Sequence, residues 1–210
     1  MKLAINRLEL DTLVGRQISN MFLLSSTEHD LLRDAIEGAL ERTRHCFAHT
    51  DNKYYRRDGV VYFNPFHAAQ YCIFLYFLSR EVRAREADPA LLADRVYYLN
   101  RALNSVDLFY EVELPSIFML DHPLGSVMGR AKYGDYFRFA QNCTVGNNND
   151  LYPEIGRHVT MMSGSKIIGR SRIGDGVILA ANSYVKDQDV PSDSTVFGAS
   201  PNLIIKPRRT

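Results

Sequence analysis

Apolar positions in the first hundred residues recur with a helical period. Leu31, Leu32, Ala35, Ile36, Ala39 and Leu40 fall on one stripe. Thr27-Glu28-His29-Asp30 in front of them reads as a capping box, so a helix is expected from there to about His45. Phe66, Ala69, Gln70, Ile73, Phe74, Phe77 and Leu78 repeat the pattern. They predict a long helix from about Pro65, a favourable first-turn residue, to Ala87. Asp88-Pro89 then opens another helix, which carries Leu92, Val96, Leu99 and Leu103. With a weaker helical pattern over Leu3 to Leu24, the first half of the chain reads as a helical domain.

Near residue 105 the period changes. From about Tyr133 an apolar residue leads every block of six: Tyr133, Phe139 and Val145, then, after an offset of four, Ile155, Met161, Ile167, Ile173, Leu179 and Val185. The chain as a whole is 46 % apolar, so nine apolar leaders would arise by chance about once in a thousand, or several times that once the phase is chosen. Six is the period of a parallel β-helix, in which three faces make one triangular coil and stacked coils pair their short strands at about 4.8 Å. The position four along is small or β-branched in Val159, Ser165, Ser171, Val177 and Ser183, which suits a narrow interior. Gly134, Gly146, Gly156 and Gly174 follow leading residues, where the chain is expected to turn its corners. The offset leaves residues 147–153 as a projecting loop, and Asn147-Asn148-Asn149-Asp150 supplies turn chemistry for it.

Composition narrows the function classes. Twenty-five Lys and Arg against 24 Asp and Glu give a net charge of +1 over 210 residues. That is no electrostatic footprint for nucleic acid, and none is expected as a partner. Cys46, Cys72 and Cys143 are odd in number and lack CxxC spacing, which argues against a disulfide framework or a zinc site and for a reducing, cytoplasmic setting. Residues 1–11 are interrupted by Asn6, Arg7, Glu9 and Asp11 and lack the apolar run of a signal peptide. The oiliest stretch, Ala68 to Leu78, contains Gln70 and is far short of a membrane span, so no span is expected.

Hexapeptide repeats behind a helical domain resemble the serine acetyltransferases among the left-handed β-helix acyltransferases. The residues that carry the resemblance are Asn64-Pro65-Phe66-His67-Ala68-Ala69-Gln70, Val106-Asp107-Leu108, Leu120-Asp121-His122, the coils from Ile155 to Pro207, and Gly198-Ala199-Ser200-Pro201. It covers roughly residues 60 to 207 and is strongest beyond 105. It implies an α+β chain: an N-terminal α-helical domain, 1–105, serving assembly and part of the acceptor site, then a left-handed parallel β-helix of hexapeptide repeats, 106–210, with a short C-terminal tail. The implied activity is acetyl transfer from acetyl-CoA to a hydroxyl, with His122 and Asp107 as the catalytic pair and no metal. Acetyl-CoA would lie between neighbouring subunits of a homotrimer, or of a dimer of trimers, against Ser163, Gly164, Ala181 and Gly198. Lys206, Arg208 and Arg209 read either as contacts for its phosphates or as a solvated basic tail.

The pair also makes chemical sense by itself. A neutral alcohol is a poor nucleophile, so its proton must leave as the oxygen attacks the thioester, and a neutral imidazole near pH 7 can take it. A carboxylate on the other ring nitrogen fixes the tautomer and stabilises the imidazolium. Asp107 and His122 are 122 − 107 = 15 residues apart, a little under one coil of eighteen, so adjacent coils can bring them together.

Departures from the family pattern bear on the acceptor. Leu151-Tyr152-Pro153 stands where serine acetyltransferases carry Arg-His-Pro, and a leucine cannot replace a guanidinium that holds a carboxylate. Asp121 and Asp51 remain to hold an amine or sugar hydroxyls, and Tyr152 offers a ring and one hydroxyl suited to a pyranose. The expected acceptor is therefore a small sugar or glycan, with serine as the alternative. The chain's ending, Lys206-Pro207-Arg208-Arg209-Thr210, lacks the isoleucine-terminated tail that docks cysteine synthase, so that partner is not expected.

Two rival readings use the same repeat. A γ-type carbonic anhydrase needs three metal histidines on the β-helix, and only His122 and His158 lie in the repeat region. A non-catalytic scaffold would have no use for Asp107 with His122. His29, His45, His49 and His67 are read as residues of the helical domain, and Cys143 as a packed thiol.

Overall fold

The computed structural model describes residues 1–87 and 91–208. It divides into two compact units, Met1–Asn104 and Ser105–Thr210.

The first unit is built on four helices: α1 (Arg7–Met21), α2 (Ser26–Ala48), α3 (Ala68–Arg83) and α4 (Leu91–Asn104). Helix α3 is buried almost all round, through Tyr71, Ile73, Phe74, Leu75, Tyr76, Phe77 and Leu78. It is the centre against which α2 and α4 pack. Fully burying each of these side chains stabilises by roughly 1.5–3 kcal/mol, which fixes α3 inside despite its β-branched and aromatic content.

The helix starts differ from the sequence expectation. Ser25, two residues ahead of Thr27, caps α2: its side chain accepts from the Glu28 N–H, and Glu28 returns a bond to the Ser25 N–H at 2.8 Å. Thr27 therefore lies within the helix rather than at its cap, and Asp30, its partner in the expected box, pairs with Arg33. Helix α3 begins at Ala68 with His67 as its cap, since Asn64 and the following Pro65-Phe66 form a turn. The expected start at Asp88-Pro89 lies outside the described residues. The pattern over Leu3 to Leu24 resolves into a two-residue strand, Lys2–Leu3, followed by α1.

That strand belongs to a small sheet the helical pattern does not predict. Lys2–Leu3 runs parallel to Val60–Phe63, which pairs antiparallel with Arg56–Arg57. Asp58 and Gly59 make the two-residue turn with φ of 53° and 74°, the combination that hairpin twist favours.

The second unit is a triangular parallel β-helix of about four coils. One face stacks Phe118–Leu120, Phe137–Phe139, Thr160–Met161, Ile178–Leu179 and Ser194–Phe197, with Ile204–Pro207 added antiparallel. The second stacks Val127–Met128, Thr144–Gly146, Lys166–Ile168 and Tyr184–Lys186. The third stacks Lys132–Tyr133, Glu154–Ile155 and Arg172–Ile173. Phe139 pairs with Met161 and Met161 with Leu179, so the steps are 161 − 139 = 22 and 179 − 161 = 18. The surplus of four in the first step is the inserted loop. Eight of the nine leading residues are buried and Tyr133 is half-buried.

The interior places also hold. Val159, Ser165, Ser171, Val177 and Ser183 are buried, and the Ser171 and Ser183 hydroxyls each donate to a backbone carbonyl at 2.9 Å. The solenoid begins earlier than Tyr133: Asp107 bridges to Val127, and its N–H and carbonyl bond Ser126 and Met128 on the coil above. Gly134, Gly156 and Gly174 lie at corners as expected, between the third and first faces, and Gly146 ends a strand of the second, but positive φ is not what they supply. None of Gly134, Gly146, Gly156 or Gly174 has positive φ; left-handed corners are taken by Gly125, Asn142, Gly164 and Asn182 among others.

Candidate functional site

The corners between the first and second faces form one edge of the prism. Along it come, coil by coil, residues 121–126, 140–143, 162–165 and 180–183, and then Gly198, whose carbonyl accepts from the Tyr184 N–H at 2.9 Å. Of the residues singled out from sequence, Asp121, His122, Ser163, Gly164, Ala181 and Gly198 therefore share this edge. Asp107 lies at its base, beside Val127.

The lowest corner differs from those above it. From Leu120 to Val127 the chain takes 127 − 120 = 7 steps, whereas the register partners Phe139 to Thr144 take 144 − 139 = 5. The two extra residues widen the corner around Asp121-His122-Pro123. His122 is exposed there, with φ of 49°, a left-handed conformation that histidine tolerates better than β-branched residues. Its carbonyl accepts from the Leu124 N–H at 2.8 Å, and the Asp121 N–H donates to the Phe139 carbonyl at 2.9 Å. The imidazole is thus carried on a backbone fixed on both sides.

Asp121 is ion-paired with Arg138 on the coil above, a residue the sequence reading missed. The spacing, 138 − 121 = 17, is about one coil and is the signal that could have joined them. Higher up, Ser163 and Ala181 project their N–H groups from the corners without a hydrogen-bond partner among the described residues. Such a rail of donors is suited to an extended chain bearing amide carbonyls.

Other expected residues lie elsewhere. In the loop 147–153, Asn148 and Leu151 close a two-residue hairpin with both N–H···O distances at 3.1 Å, and Asn149 and Asp150 take the left-handed turn. Asn148 is tied down by Asp187 at 2.6 Å. Leu151 and Tyr152 are exposed, but at the edge between the second and third faces, away from the His122 edge. Lys206 is exposed on the antiparallel strand with its ammonium over the Phe197 ring. Arg208 reaches the Gly176 carbonyl, and Arg209 lies outside the described residues. Asp51 is an exposed residue of the first unit, following α2.

Cys143 is buried in the column, with its sulfur 3.2 Å from the Met162 carbonyl. No cluster of three or more potential metal ligands occurs among the described residues. Among those residues no helix is long and apolar enough to cross a membrane.

No protein-family model matches the chain. It is similar to the serine acetyltransferase of Synechococcus elongatus, with 32 % identity over 123 residues, covering 56 % of this chain and 48 % of that protein. The chain thus spans about half the length of the curated relatives it matches first. Among solved structures it resembles the serine acetyltransferase of Brucella abortus, with a TM-score of 0.71 and 19 % identity over 95 % of this chain and 84 % of that one. The same Brucella enzyme in complex with coenzyme A superposes with a TM-score of 0.68 at 21 % identity, over 96 % of this chain and 83 % of that one. The Neisseria gonorrhoeae serine acetyltransferase in complex with serine gives 0.65 at 21 %, over 93 % and 83 %. These comparisons overturn the expectation of a sugar or glycan acceptor, because the proteins this chain resembles act on serine by name. The expectation rested on Leu151 and Tyr152, which the fold sets on a different edge from His122 within the chain. In sequence and in fold, the chain is serine acetyltransferase-like, with the hexapeptide-repeat β-helix of that class.

Proposed function

We infer that this chain is an acetyl-CoA-dependent serine O-acetyltransferase. The observation that carries the reading is the composition of one edge: Asp121 and His122 in its widened corner, then Ser163, Gly164, Ala181 and Gly198 in order above them. Acetyl-CoA is the donor substrate, its amide-bearing arm running along this edge against the free N–H groups of Ser163 and Ala181. Lys206 serves the phosphates.

In the reaction, the His122 imidazole accepts the proton of the serine hydroxyl as that oxygen bonds to the thioester carbon. The carbon–sulfur bond then breaks, and the proton passes to the departing thiolate. Asp107 acts by holding the imidazole in the tautomer whose free nitrogen faces the substrate. Transfer is direct, without an acetyl-enzyme. His122 and the Leu151-Tyr152 loop occupy different edges of one prism, so a site using both is completed by a second copy. The assembly is a homotrimer or a dimer of trimers.

Incubation with acetyl-CoA and L-serine should release coenzyme A thiol in step with O-acetylserine, the product being identified by mass spectrometry. Thiol release that does not depend on serine would refute the assignment.

A further inference from the structure

The proposed acceptor carries a carboxylate, and position 151, where related enzymes place an arginine, holds Leu151. The structure offers a guanidinium from another element. Arg138 stands outward between the buried Phe137 and Phe139, in register above Met119. The bond from the Asp121 N–H to the Phe139 carbonyl pins the start of the His122 corner directly beside it. Arg138 donates through Nε to one oxygen of Asp121, while its two terminal nitrogens have no partner among the described residues. The side chains are 45 % and 36 % exposed, so both charges remain accessible from solvent.

An exposed ion pair of this kind contributes little to stability, typically less than about 1 kcal/mol. Its value lies in what it presents. The free edge of a guanidinium holds two parallel N–H donors that match a carboxylate, and the unused oxygen of Asp121 accepts from an ammonium. Side by side, they complement the two charges of a zwitterion.

We propose that Arg138 is the residue that binds the acceptor's carboxylate, so that the Arg138–Asp121 pair receives the charged end of an α-amino acid. The inference rests on the serine reading above and moves the carboxylate contact from the projecting loop to the outer face of the second coil. With ammonium and carboxylate engaged, the hydroxymethyl group is the substituent left for His122, the next residue after Asp121. Removing the charge therefore weakens acceptor binding and leaves the donor side untouched.

The test is steady-state thiol release by the native protein, Arg138→Gln and Arg138→Lys, with L-serine and with L-serinamide, which keeps the hydroxyl and the amine but lacks the carboxylate. The native protein should prefer serine. Arg138→Gln should raise KM for serine about 10- to 100-fold, the range of a charge-assisted contact, and leave KM for serinamide and acetyl-CoA within about twofold. Arg138→Lys should fall between. Equal losses with both acceptors, or a serine KM indifferent to Arg138, would overturn the anchor alone. Failure of the native protein to acetylate serine would remove the serine reading and the anchor with it.

Discussion

Gly134 lies directly beneath Gly156, so closely that a Cβ at 134 would stand 2.5 Å from the Gly156 carbonyl carbon and 2.6 Å from the Arg157 nitrogen. Gly156 in turn sits beneath Gly174, where a Cβ would stand 2.9 Å from the Gly174 carbonyl carbon and 2.8 Å from the Asp175 nitrogen. The coils cannot part to make room, because the Gly134 N–H bonds the Ile155 carbonyl and the Gly156 N–H the Ile173 carbonyl, each at 2.8 Å. Gly156→Ala should therefore lower the unfolding free energy by about 1–3 kcal/mol, as overpacking does. Urea titration read by circular dichroism measures it, and a variant as stable as the native chain would contradict the close approach.

This ladder shows how far the sequence speaks. The glycines stood out by their regular place after leading residues, yet sequence does not separate a glycine needed for its dihedral from one needed for proximity. The repeat itself was legible, since every sixth residue must enter a narrow column whatever the loops do. The first coil was not, because the widened His122 corner breaks the period of six between Leu120 and Val127. Asp58-Gly59 is a strong hairpin signal, but it sat within a half that otherwise reads as helical. Asp107 and His122 are proposed on the family resemblance. Arg138 was not legible, because an outward charge on a strand is unremarkable until its partner one coil below is known.

In the first unit, Glu28 both caps α2 and pairs with Arg95 of α4, and Arg95 also donates to the Leu23 carbonyl. The bond from Arg95, aided by the Ser25 N–H, lowers the Glu28 carboxyl from its ordinary 4.5 to about 2. A carboxyl depressed in the folded state contributes stability above its unfolded pKa and loses it as pH falls through the folded one. The contribution is thus complete above about pH 5 and fades toward pH 2. Glu28→Gln should melt lower than the native chain at pH 7, with the difference shrinking as the melts are repeated down to pH 2–3. A constant difference across that range would show that the pair does not carry it.

The separation of the His122 edge from the Leu151-Tyr152 hairpin bears on assembly. If a site uses both, light scattering at micromolar concentration should give three or six times 23.9 kDa. Mixing an inactive His122 variant with an inactive loop variant should then restore activity in the hetero-oligomer. A 23.9 kDa monomer with full activity would confine the site to one prism and exclude the loop from it.

The proposed pair of His122 and Asp107 is tested most cleanly by substitutions that respect the backbone. At φ of 49° the strain of the left-handed region is already borne by His122 and persists in His122→Ala, whereas asparagine accepts that region. His122→Asn should lower kcat by at least about a hundredfold, the contribution of a positioned general base, with acetyl-CoA binding nearly unchanged. Asp107 lies in the backbone ladder through Ser126 and Met128, contacts made by main-chain atoms, so Asp107→Asn keeps them while removing the charge. It should cost less than the loss of the base and act on the same step. If the carboxylate works only through the imidazole, as proposed, the double variant should be no slower than His122→Asn alone. Losses that simply add in that variant would mean that the two residues act independently, and Asp107 would no longer be the partner of His122.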